Sequence, residues 1–152
     1  MKTLRNADDR KEIVGRVARV RQDSPRRWGK MTPHQMICHL CDSFRGPMGE
    51  KPLNIAPGFV LRGLIKSIAL YTPLPWPKGL PTMPEMDQHK DGTPPAELSN
   101  DVRELLRLTE RFTSEPRDFA WRPHPIFLQM SDKDWMRWGY LHIDHHLRQF
   151  GL

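Results

Sequence analysis

The sequence predicts an all-α protein, a four-helix bundle, on three observations. Four segments, 8–23, 33–46, 95–114 and 132–150, each carry apolar residues at helical spacing on one face. No stretch of convincing length alternates apolar and polar residues as a strand would, and no internal repeat is visible. Capping residues and prolines stand where these segments begin and end. At 152 residues the chain is expected to form a single domain, 1–152, with a real core.

The first helix is expected over 8–23. Ile13, Val14, Val17 and Val20 form its apolar stripe, Asn6 or Asp8 can cap it, and Ser24-Pro25 ends it. The second starts with Thr32 as N-cap and Pro33 in the first helical position, and buries Met36, Ile37, Leu40 and Phe44. Residues 46–95 are a long connection holding ten of the fifteen prolines. Within it, 59–71 reads as an extra short helix that covers the core, although a lid, a dimer contact or a membrane-touching segment would also suit it. The Pro-rich chain after that helix is expected to be stiff and extended, and a long ordered connection of this kind often borders a functional site. The third main helix, 95–114, follows Thr93-Pro94-Pro95 and buries Leu98, Val102, Leu105, Leu106, Leu108 and Phe112. The last, 132–150, has Ser131 as N-cap, Asp132 and Asp134 in its first turn and Gly151 as its stop.

Composition narrows the function classes. No stretch is long and apolar enough to cross a bilayer, and the first residues have no apolar signal core, so a cytoplasmic protein is expected. Cys38 and Cys41, three apart in a helix, do not suggest a secreted disulfide framework and read as small packing residues. The net charge of +6 is confined to residues 1–30, where 10 Lys/Arg face 4 Asp/Glu; the remainder carries 14 of each. A solvated basic face explains this better than a nucleic-acid surface, because no recognition motif accompanies the charge.

The chemistry-bearing residues cluster on the last helix. At about 100° per residue, Trp135, Trp138, Gly139, His142, His146, Gln149 and Phe150 fall on the inward side, with Arg137, Tyr140, Asp144 and Arg148 opposite. His142 and His146 are one turn apart and can reach one metal ion. His39, on the flank of the second helix, is the candidate third ligand. Two central imidazoles on one face with a third opposite favour a metal site over a buried polar network, because each brings a polar nitrogen that needs a partner. Zn²⁺ or Ni²⁺ suits three nitrogen ligands, with Fe²⁺ and Mn²⁺ also compatible. His145 reads either as a proton shuttle or a group at the site's edge, or as an ordinary half-exposed histidine. Gln35 and Gln149 lie one turn from ligand candidates; each can orient a ligand, bind substrate or simply bond across helices. Asp42 reads as a solvated carboxylate rather than a partner of His39. His34 is a weaker ligand candidate, and His89 and His124 have no assigned role.

Two motifs carry a resemblance. Trp28-Gly29-Lys30-Met31-Thr32-Pro33-His34-Gln35-Met36-Ile37-Cys38-His39-Leu40, followed by His142-x-x-His145-His146-x-x-Gln149-Phe150-Gly151, resembles the DinB/YfiT-like metalloenzyme superfamily, and in particular a branch of unknown function in which His-Pro-x-Phe (here His124 to Phe127) precedes the last helix. The resemblance implies an up-down-down-up four-helix bundle, frequent homodimers, and a divalent metal held by His39, His142 and His146. It also implies an enzyme, a metal-dependent hydrolase or thiol transferase, that activates water or a thiol against a small-molecule substrate. The Pro-rich 51–95 segment departs from the compact members, so a substrate does not carry over. The competing expectation is a non-enzymatic helical bundle with a structural histidine cluster, binding partners through its basic first helix or the 59–71 helix.

Overall fold

The computed structural model describes residues 1–57 and 61–152. Among these the chain forms α1 (Ala7–Val17), α2 (Pro33–Arg45), α3 (Arg62–Tyr71), a 3-10 turn (Pro84–Met86), α4 (Leu98–Thr113) and α5 (Asp132–Gln149), with no strand. Helix α2 packs against α4, α5 and the 3-10 turn; α1 lies on α5 and α4, and α3 on α5.

Local chemistry sets the helix ends. Asn6 caps α1 by accepting from the Asp9 N–H. Thr32 with Gln35 and Ser131 with Asp134 form full capping boxes at α2 and α5, each satisfying two otherwise orphan backbone donors. Two boundaries differ from expectation. Helix α1 ends at Val17, not 23: the chain tightens into i,i+3 bonds, Arg19 N–H to Arg16 and Val20 N–H to Val17, so Val20 stays on the buried stripe without continuing the α-helix. Helix α4 starts at Leu98, not 95, because the Glu97 carboxylate accepts from the Ser99 and Asn100 N–H groups and fixes the start there.

The core is one cluster built from α1, α2, α4 and α5, with Leu4 from the N-terminal segment inside it. Leu4 enters by bonding its N–H to the Met136 carbonyl, and its side chain lies over Gly139, where a Cβ would meet Leu4 Cδ1 at 2.6 Å. Helix α5 is buried on more than its inward face. Met136, Tyr140, Ile143 and Leu147 are also covered, because α1 lies along that side. The polar ends of this second face are matched: Tyr140 donates to Glu12 at 2.6 Å, and Asp144 accepts from Arg16 at 2.7 Å. Arg16, expected on a solvated basic face, is thus committed inside the fold.

Helix α3 buries Leu70 in the core and packs Tyr71 partly against it, while Leu64 and Ile68 stay exposed. Phe59 and Val60, the first two positions of the expected 59–71 helix, lie outside the described residues. Polar bonds hold α3 down: Tyr71 Oη and Lys66 Nζ both donate to Asp134, at 2.5 and 3.1 Å. Burial alone would raise the Asp134 carboxyl, but the bonds from Tyr71, Ser131 and Lys66 outweigh it and hold it at about 2.

Helix α2 is buried at every position except Gln35 and Arg45. Asp42 is therefore not the expected solvated carboxylate, nor does it bond His39. It is fully buried and accepts from the Thr93 N–H at 2.7 Å, the Thr93 hydroxyl at 2.6 Å and Lys51 Nζ at 3.1 Å. Those partners stand near the two ends of the Pro-rich connection, so Asp42 ties that connection to α2. In the loop before α5, His124 Nδ1 accepts from the Ile126 and Phe127 N–H groups at 3.1 Å, and its ring stacks on Phe127. This turn is the structural meaning of the His124-Pro125-Ile126-Phe127 motif. Burial pushes His124 down to about 3.

Two stability outcomes follow from these groups. Asp42→Ala leaves the part-buried Thr93 hydroxyl and amide and the Lys51 ammonium without their acceptor. It should cost about 3–5 kcal/mol, read as a lower urea midpoint, and should make the 51–95 segment more sensitive to protease. For His124 the unfolded chain takes up a proton below about pH 6.5, whereas the folded chain does not until about pH 3. Its stability is then complete above pH ~6.5 and is lost as the pH falls toward 3, by up to ~1.4 kcal/mol per pH unit. His124→Asn, which can keep the side-chain acceptor, should flatten the acid limb of stability against pH by that amount.

Candidate metal centre

Helix α2 presents His39 toward α5, and α5 presents His142 and His146 one turn apart. The three rings meet: His39 to His142 at 5.3 Å, His39 to His146 at 4.6 Å and His142 to His146 at 4.9 Å between centroids. One ring nitrogen from each lies within 4.8 Å of the others. His39 Nε2 and His142 Nε2 are 3.3 Å apart. Two nitrogens bound at ~2.0–2.1 Å to one tetrahedral ion would be separated by about 3.3 Å, so this pair already has the spacing of ligands that share an ion.

The far nitrogens determine which atoms remain open. His39 Nδ1 lies 3.0 Å from the Met86 carbonyl, which can only accept, so Nδ1 carries the proton and Nε2 a lone pair. His146 is set by a longer chain of bonds. The Trp28 carbonyl accepts from Gln149 Nε2 at 2.9 Å, which orients the amide so that Oε1, 3.1 Å away, takes the proton of His146 Nδ1. His146 Nε2 is left open in turn. The Trp28 loop approaches so closely that a Cβ at Gly29 would overlap Gln149 Nε2, and Gly29 has φ +80°, a conformation glycine adopts at little cost. His142 Nδ1 is buried and has no partner among the described residues. A buried orphan nitrogen on an imidazole whose Nε2 already faces His39 is costly unless the ring has a further role.

All three imidazoles are held below the ordinary histidine value. For His39 the cause is burial, with the Met86 bond opposing it. For His142 it is burial and then the neighbouring His146 and His39, and for His146 burial and then His39 and His145. Neutral rings with open nitrogens are the form in which histidine binds a cation.

The other expected residues fall into place around this group. Gln149 is the one that orients a ligand candidate. Gln35 does not: its Oε1 closes the α2 capping box, and its Nε2 lies 3.0 Å from His89 Nε2. His145 stands beside the cluster, 5.4 Å from the His146 ring, with Trp28 and Trp76 about its other sides. Burial lowers it too. Trp138 lines His142 at 4.8 Å and Trp76 at 5.9 Å. His34, Cys38 and Cys41 turn toward α4. His34 Nε2 meets Asp101 Oδ2 at 2.6 Å, and the Cys38 and Cys41 thiols donate to Asp101 at 3.6 Å. Burial, and then Asp101, pushes the Cys38 thiol up to about 12, which removes it as a nucleophile at neutral pH. Three contributors were not anticipated from the residue pattern. The Met86 carbonyl, from a single 3-10 turn, and Trp76 come from chain without apolar periodicity, and the only signal for the Trp28 carbonyl was the glycine that follows it.

The family described as "Protein of unknown function (DUF1569)" matches residues 73–151, a span that holds Trp76, Met86, His142, His145, His146 and Gln149. No curated protein and no solved structure matches the chain.

If the Trp28–Gln149–His146 chain sets the open nitrogen, Gln149→Leu should weaken divalent-metal affinity about 10–100-fold while all three histidines remain. Gly29→Ala, which displaces the same amide, should shift it in the same direction. Competition titration of both variants against a chromophoric chelator measures the effect.

Proposed function

For a chain that belongs to the DUF1569 family, which carries no assigned function, we propose a metal-dependent enzyme of the DinB-like type, its four longer helices α1, α2, α4 and α5 forming the bundle. His39, His142 and His146 are the residues that would hold one divalent ion, Zn²⁺ or Ni²⁺ by their nitrogen chemistry, with Fe²⁺ and Mn²⁺ also compatible. One observation carries this reading. Three buried neutral imidazoles converge: His39 and His146 commit their outer nitrogens to fixed acceptors and turn their inner nitrogens to the shared space, where, among the described residues, His39 Nε2 has only the long contacts to His142 Nε2 at 3.3 Å and Ser43 Oγ at 3.4 Å, and His142 Nδ1 is left orphaned. A purely structural cluster has no need to leave that last nitrogen unpartnered.

A bound ion there would supply Lewis acidity, lowering the pKa of a water or a thiol and polarising a carbonyl, as in hydrolysis or group transfer. The chain's own residues do the rest. Met86 and Gln149 hold the His39 and His146 rings in the required tautomer. Trp138 and Trp76 wall the His142 side with apolar surface, which limits water and strengthens local electrostatics. His145, near His146 but outside the convergent trio, is placed to accept and return a proton. The substrate would be a small molecule, and Trp28, Trp76 and His145 are the residues that border the site on the His145 side.

A second reading, a binding protein without catalysis, has one observation in its favour: Leu61, Leu64 and Ile68 at α3 are exposed. Its basic-helix version is weakened by Arg16, which is spent on Glu12 and Asp144.

Metal content separates the two. Protein purified without a histidine tag, saturated with Zn²⁺ or Ni²⁺ and analysed for elements should carry one equivalent more than His142→Ala, which should keep its far-ultraviolet circular dichroism. If the two proteins take up the same amount of metal, even after incubation with excess Zn²⁺ or Ni²⁺, the enzyme reading fails.

A further inference from the structure

A second cluster lies on the opposite flank of α2. His34 and Cys38 stand at i and i+4, so they project over one helical turn, and Asp101 of α4 faces both. One ligand-type atom from each of the three lies within 4.8 Å of the others. His34 and Cys38 are 8% and 2% exposed, and the Asp101 side chain is 22% exposed.

We propose that His34, Cys38 and Asp101 form a second divalent-cation site, separate from the three-histidine centre, that takes Zn²⁺ through one nitrogen, one sulfur and one oxygen and clips α2 to α4. The ligand set points to the ion. A thiolate with an imidazole and a carboxylate is a combination that suits zinc, whereas magnesium and calcium want oxygen alone. The charge balances, because one thiolate and one carboxylate neutralise a dication in a poorly solvated position. The spacing supports it as well. Cys38 Sγ and Asp101 Oδ2 are 3.6 Å apart, and a sulfur at ~2.3 Å and an oxygen at ~2.0–2.2 Å from a tetrahedral zinc are about 3.6 Å apart.

The His34–Asp101 contact, at 2.6 Å, is that of a proton-bridged pair. Exchanging that proton for the ion requires the two atoms to part to about 3.3 Å. The half-open Asp101 carboxylate has room to turn. Two proton positions and one amide orientation change on binding. The Cys38 thiol releases its proton to solvent. The His34 ring proton sits on Nδ1, so that Nε2 can bind. Gln22, whose Nε2 lies 3.4 Å from Nδ1 and which is exposed, turns its amide to present the oxygen instead. The fourth position is left to water, and the Ala96 N–H, 3.3 Å from Asp101 Oδ2, steadies the carboxylate. The site lies where the Pro-rich connection meets α4, so the ion would fix the α2–α4 pairing at that end.

Cobalt tests this without interference from the first centre, because His39, His142 and His146 bring no sulfur. Titration of the full chain with Co²⁺ should produce a near-ultraviolet thiolate-to-cobalt charge-transfer band whose final intensity is that of one thiolate site per chain, reached by two equivalents because the three-histidine centre takes up the other ion. Cys38→Ser, which keeps a hydroxyl donor to Asp101 and hence the fold, should abolish the band, and Cys41→Ser should retain it. The band should survive in the His142→Ala/His146→Ala variant, so failure of the three-histidine reading would not remove it. If that variant does not fold, the band in the unaltered chain and its loss in Cys38→Ser give the same answer. Absence of a thiolate band at saturating Co²⁺ in natively folded protein would overturn the proposal and leave the trio as a hydrogen-bonded clip. A band that persists in Cys38→Ser and vanishes in Cys41→Ser would overturn it equally.

Discussion

Helix α2 is buried almost all round, and each polar group it carries must therefore find a partner inside the protein. Its apolar stripe, Met36, Ile37, Leu40 and Phe44, could be covered by any apolar helix. Its histidines, Asp42, Ser43 and cysteines could not. Each calls for one particular atom: the Met86 carbonyl for His39, Thr93 and Lys51 for Asp42, Asp101 for His34, Cys38 and Cys41. The path of the Pro-rich connection follows from these demands. It must pass α2 with Lys51 and Thr93 near its ends and with the 3-10 turn, Pro84–Met86, against His39 and Ser43. Proline suits such a segment, since its fixed φ lowers the entropy lost when the chain is pinned over many residues.

The same constraint produces the three-histidine cluster. Burial makes the imidazoles neutral, and neutral imidazole has one donor and one acceptor. Where a carbonyl takes the donor, the acceptor must face elsewhere, and for both His39 and His146 it faces the space they share with His142. The electrostatics of the site are thus decided from outside it, by a carbonyl of the connection and by a glutamine held on the Trp28 loop. Replacing a histidine would remove a ligand candidate. Displacing Met86 or Trp28 would leave the candidate ligands in place but free to point their protons inward, where they would repel a cation.

Much of this was legible in the residue order, and the rest was not, for identifiable reasons. Helix positions and starts could be read because capping is local: Thr32-Pro33 and Ser131 with Asp134 encode their own boundaries. The i,i+4 spacing of His142 and His146 is also a local quantity, and the flank position of His39 required only helical geometry. Asp42 was misread because its burial depends on Thr93 and Lys51, fifty-one and nine positions away, which no periodicity links. Tyr140 and Asp144 were placed on the outer face of α5 because the pattern does not say that α1 would cover it. Gln35 and Gln149 looked equivalent in sequence. Only the capping box, which consumes the first, and the Gly29 turn, which admits a carbonyl to the second, separate their roles.

Helix α3 shows how far a fold can hold an element without burying it. Only Leu70 enters the core, yet Arg137 Nε donates to the Leu70 carbonyl at 2.9 Å, Trp76 Nε1 donates to the Ala69 carbonyl at 2.8 Å, and Asp134 anchors both Tyr71 and Lys66. The Trp76 bond matters most for the site, because this indole, only partly buried against the core, closes the His142 side together with Trp138. Its anchor is a carbonyl in the last turn of a half-exposed helix. Stability in proteins is uneven, and segments with few buried apolar contacts open first. The wall of the candidate site is therefore built on one of the least buried helices of the chain, while its ligand candidates stand on the most buried one and on α5. That division gives a rigid set of nitrogens behind a separable cover, the arrangement a site needs if something must enter and leave it.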